Sequence, residues 1–130
     1  MHWGRRIGAV AAAIVSGGLT VGGLETAGHI LFPVDGARVA RGIIPVDAQC
    51  ALGIAWTAGV AVASLVGGAL GGVLGAVVGG AVLMSMTVSN FLRMPHPPGL
   101  IAGSLAGMCA VYFLVVRAAG GSARAPRTGP

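Results

Sequence analysis

Glu25 and His29 stand four residues apart, a spacing that puts both side chains on one face of a helix within hydrogen-bond reach. A second polar set, Asn90 and His96, lies far along the chain beside a run of prolines. The whole sequence holds only three acidic residues and three histidines, so four polar groups in two short segments are not its default distribution. A carboxylate beside an imidazole can pass a proton. Two imidazoles and a carboxylate with an open fourth position would suit zinc, with Glu25, His29 and His96 as the ligand set. The plain structural alternative is that Glu25 and His29 hydrogen-bond neighbouring helix ends and hold helices in register. No cofactor is expected, and zinc is the one metal this set would suit.

Which chemistry applies depends on the elements that carry these residues. From Ala48 to Leu92 the chain runs 45 residues without an Asp, Glu, Lys, Arg or His. About 20 apolar residues cross roughly 30 Å of hydrocarbon, so this run holds two membrane spans and a turn. Composition agrees: 55% of residues are hydrophobic and 8% charged, against roughly 25% charged in an average soluble domain. The expected fold is all-α, an integral membrane bundle of four transmembrane helices over about 7–29, 49–70, 73–92 and 99–116. Residues 1–117 form one transmembrane domain, and 118–130 are expected to be a disordered cytoplasmic tail. A cleaved signal peptide competes for the first span, with Arg5 and Arg6 as its basic start. Its apolar stretch, 18 uncharged residues from Ile7 to Leu24, is longer than the 7–15 residues usual for such a segment.

Gly71-Gly72 supplies the backbone freedom for the turn inside the uncharged run. Gly67, Gly71, Gly75 and Gly79 also recur every four residues, a smooth helix stripe of the kind that lets backbones approach closely in lipid. The connection Pro33–Asp47 is too polar to span, and Pro95-His96-Pro97-Pro98 cannot continue a helix. Net charge is +5, carried by eight arginines that flank apolar spans, so nucleic acid is not an expected partner. With both ends inside, Arg5, Arg6, Arg117, Arg124 and Arg127 face the cytoplasm while Arg38, Arg41 and Arg93 face out. That bias favours cytoplasmic termini in a cell (inner or plasma) membrane. On this layout Glu25 lies about 27 Å along from Ile7. All four polar groups then converge on the outer end of the bundle. Abundant Ala, Gly, Val and Arg without Lys points to a GC-rich bacterial genome.

Two segments, Glu25-Thr-Ala-Gly28-His29-Ile-Leu-Phe32-Pro33 and Asn90-Phe-Leu-Arg-Met94-Pro95-His96-Pro97, resemble the signature segments of a group of small uncharacterised bacterial membrane proteins of four spans. That group carries E-x-x-G-H-x-x-[YF]-P and N-x-x-x-x-P-H-P. The resemblance covers about 17 residues and the span layout, and implies that the two segments travel together as one unit. This chain departs from the group in lacking a basic connection between spans two and three.

No nucleophile-and-base set, phosphate loop or dinucleotide fingerprint is present, and an enzyme is not expected. The leading expectation is an accessory membrane protein whose glycine-rich helices self-associate or bind a larger membrane partner. The rival is a small transporter or ion-handling protein using Glu25, His29 and His96. In size, span count and an acidic residue in the first helix it resembles small multidrug transporters. Cys50 and Cys109 differ in depth by roughly 12 Å, too far for a disulfide, and are expected as small core residues. Trp3, Phe32 and Phe91 are expected at the interfaces. Trp56 and Tyr112 are expected between helices, and Met84, Met86, Met94 and Met108 as gap-fillers in the core.

Overall fold

The computed structural model describes residues 2–41 and 43–122, and every regular element among them is a helix. They are α1 (His2–Leu31), α2 (Gly36–Val39), α3 (Val46–Arg93) and α4 (Pro98–Ser122). Three of these, not four, are separate helices long and apolar enough to cross a membrane. The expected second and third spans lie within the single 48-residue α3. Helical hydrogen bonding runs up to both sides of one residue, Gly72 (φ 66°, ψ −157°), leaving no connecting segment to divide the element. That backbone region is open almost only to glycine.

At Gly72 the chain folds back on itself. A Cβ built on Gly67 would overlap the carbonyl of Gly75, and one on Gly75 would overlap that of Gly67. Further from the turn, Gly79 meets Ala63 and Gly80 meets Ser64. The limbs 46–71 and 73–93 therefore pack antiparallel along their length. Helix α1 lies in one groove of this hairpin, where a Cβ on Gly17 would touch Gly59 O at 2.8 Å, Ala63 at 2.9 Å and Leu83 at 3.1 Å. Helix α4 packs on the other side, Gly107 against Thr57 and Tyr112 against Gly80, with the Tyr112 hydroxyl donating to Val77 O at 3.2 Å. Both α1 and α4 pack on α3, and they do not pack on each other.

Small side chains fill the interior and large ones cover the outside. Ala13, Ala55, Ala63 and Ala76 are fully buried, whereas Leu19, Leu65, Leu92 and Phe113 are each more than half exposed. Water would penalise such a surface, and lipid does not. Met86 and Met94 belong to this outer layer, and Cys50 is also exposed, so none of the three is the core residue expected. In an apolar surround these side chains gain little from burial. Met108 is fully buried, and Met84 packs against the core.

Helix ends extend past the expected spans. α1 begins at His2, and α4 continues through Arg117 to Ser122 instead of giving way to disorder at Ala118. Alanines beyond Arg117 are good helix formers, and a helix need not stop where its apolar segment stops. The rest of the expected tail, 123–130, lies outside the described residues. Pro98 opens α4, where its missing N–H costs nothing. The polar connection holds one unexpected turn, α2, capped by Asp35 accepting from Ala37 N at 3.2 Å.

Candidate functional site

A cavity of about 530 Å³ opens at the end of the bundle that carries the α1–α3 and α3–α4 connections. Glu25, His29, Asn90 and His96 all line it. Glu25 and His29 come from the last two turns of α1, Asn90 from the last turn of α3, and His96 from the turn before α4. Apolar groups make up most of the remaining wall, among them Phe32, Val34, Ile44, Leu52 and Met94. The connection is tied down over this wall by Gln49, whose Nε2 donates to Ile44 O at 2.7 Å.

Trp56 organises the polar groups. It is buried, 4% exposed, and its Nε1–H donates to Glu25 Oε1 at 2.5 Å. Its ring forms a mutually edge-on trio with Phe91 (centroids 4.9 Å apart) and His96 (5.5 Å), while Phe91 and His96 lie at 5.4 Å. Edge-to-face stacking at such distances is the favoured arrangement of aromatic rings. Phe91 is half-buried and packs against Trp56 and His96 without lining the cavity itself. Trp3 does stand out from the helix, 74% exposed, with the Arg6 guanidinium 5.9 Å from its ring centre.

His96 is held from a second side. Its Nδ1 lies 2.8 Å from Met94 O. A carbonyl only accepts, so Nδ1 carries the proton in this bond, and in the neutral ring Nε2 is left with its lone pair. Glu25 is comparably half-committed: one oxygen is taken by the indole, and no other bond or ion pair to its side chain exists among the described residues. Glu25 and His96, both on the cavity wall, therefore each keep one acceptor unbonded among the described residues.

Trp56 was missed as a site residue because tryptophan in an apolar run reads as packing. On the expected spans it lies about 10 Å in from Gln49 and Glu25 about 6 Å back from His29, so depth along the helices does not pair them. No three His, Cys, Asp or Glu side chains among the described residues are grouped to hold a metal ion.

Of the glycine stripe, Gly67 and Gly75 touch each other, a Cβ on Gly71 would meet Ala9 at 2.9 Å, and one on Gly79 would meet Ala13 at 2.7 Å. The stripe is occupied by the chain's own atoms. No family model, curated protein or solved structure matches this chain.

Proposed function

We propose that this chain is a small multi-pass membrane protein that binds a small solute in the cavity at the outer end of its helices. The observation that carries the reading is the meeting of Glu25, His29, Asn90 and His96 on one cavity whose volume is that of an ordinary ligand site. The two segments that resemble the four-span bacterial group supply these residues, which fits their travelling as a unit. Each limb of α3 is long enough to cross on its own, about 39 Å and about 31 Å, against roughly 30 Å of hydrocarbon. On that basis we read four crossings, with both termini on the cytoplasmic side of a cell membrane.

Binding can be tested without knowing the solute. In detergent, a panel of neutral, cationic and anionic small molecules should include a class that raises the melting temperature of the wild type, because a ligand of the folded state stabilises it by mass action. Filling the cavity with Leu52→Trp, or from the exposed rim with Ala40→Trp, should remove the shift. No stabilising class, or a shift surviving both fillings, would refute the reading.

Transport is the next layer of the same proposal. Glu25 is the only carboxylate on the cavity wall, and Glu25→Gln should abolish proton-coupled solute flux in proteoliposomes. Full flux in the variant would remove Glu25 from that role. An accessory function through the Gly67–Gly79 stripe has less support, since that surface is already covered from within.

A further inference from the structure

We infer that the cavity selects an organic cation bearing N–H groups, a primary or secondary ammonium on an apolar body. This deepens the reading above and rests on it. The two oriented acceptors set the class. Glu25 offers the carboxylate oxygen that Trp56 leaves unbonded, and His96 offers Nε2 because Met94 O holds the proton on Nδ1.

Charge on the wall points the same way. Among the described residues no arginine lines the cavity, so Glu25 is the one formal charge they bring to it when the histidines are neutral, and a bound anion would face that carboxylate without compensation. An ammonium with at least two N–H donors can satisfy both acceptors. A quaternary ammonium keeps the charge but can donate to neither. The body of the ligand would rest on Phe32, Val34, Ile44 and Leu52. Aromatic contact comes from Phe32 and from the part of Trp56 on the cavity wall, while Phe91 stands behind it against Trp56 and His96.

The test is titration calorimetry of the full chain in lipid nanodiscs, with empty discs as reference. Four probes of one shape are compared: 2-phenylethylammonium, trimethyl(2-phenylethyl)ammonium, 2-phenylethanol and 3-phenylpropanoate. The first should bind at least about tenfold more tightly than each of the others, the weight of one hydrogen bond to a charged group. Glu25→Gln, nearly isosteric and still able to accept from Trp56, should weaken the primary ammonium by about tenfold or more and leave 2-phenylethanol unchanged. His96→Phe, which keeps a ring in the trio, should weaken the primary ammonium and leave its trimethyl analogue unchanged.

Equal affinity for the primary and trimethyl forms would overturn the N–H requirement. Equal affinity for the alcohol, lost on Leu52→Trp, would overturn the charge requirement while leaving the cavity a binding site. Absence of binding by all four probes would overturn this inference. The solute-binding reading falls only if the wider panel fails as well.

Discussion

At the residue scale, the contact between Trp56 and Glu25 ties the first helix to the central hairpin. Trp56→Phe keeps the aromatic edge against Phe91 and His96 but removes the N–H, leaving a half-buried carboxylate without its donor. We expect a loss of about 1–2 kcal/mol in detergent unfolding, toward the upper end of hydrogen bonds measured within membranes. Unchanged stability would mean the bond adds nothing beyond packing. His29 differs: it is exposed and makes no side-chain bond among the described residues, so His29→Ala should leave stability within about 0.5 kcal/mol. The polar residues of this site could be read from their types and spacing, because Glu and His are rare in apolar helices and few other places accept them. Trp56 could not, since an indole suits a core and a binding wall equally well.

At the scale of elements, the glycines of this chain divide into two kinds that sequence alone cannot separate. Gly67 and Gly75 face backbone across the hairpin, so Gly75→Ala should force the limbs apart and cost more than about 2 kcal/mol. Gly8 and Gly22 lie on helix α1 with nothing within 4 Å of a built Cβ, and alanine there should be neutral or stabilising by up to about 1 kcal/mol. If the two sets of variants melted alike, the packing described here would be wrong. Gly72→Ala is a third case: it would meet no neighbour but would force a side chain into φ 66°, costing about 1–3 kcal/mol by strain alone. A four-residue glycine rhythm therefore announced close approach without saying between which partners. The rhythm crosses a chain reversal, so Gly67 and Gly75 meet each other while Gly71 and Gly79 meet α1.

For the whole molecule, composition points to a membrane, because a surface with so few charges and so much exposed Leu, Ile and Phe is costly in water. The number of separate helices was less legible. Gly71-Gly72 marked the place of the turn, and the reversal falls at Gly72, but nothing in the uncharged run indicated that the break would be confined to a single residue. Cysteine labelling of the intact membrane tests the proposed orientation: a reagent that cannot cross the bilayer should modify Cys50 from outside, whereas a cysteine placed at Ala118 should react only after the membrane is opened. The reverse pattern would invert the topology, and reaction of both from one side would mean an odd number of crossings.

The hairpin's lack of charge has a consequence for how the chain is made. As α3 leaves the ribosome, its charges are confined to Asp47 and Arg93 at its two ends, so nothing between residues 48 and 92 instructs either limb in direction. Its polar backbone at the reversal can enter lipid only when both limbs are helical and side by side. On the proposed four-crossing layout the pair inserts together, oriented by the arginines that precede it in α1 and follow it in α4.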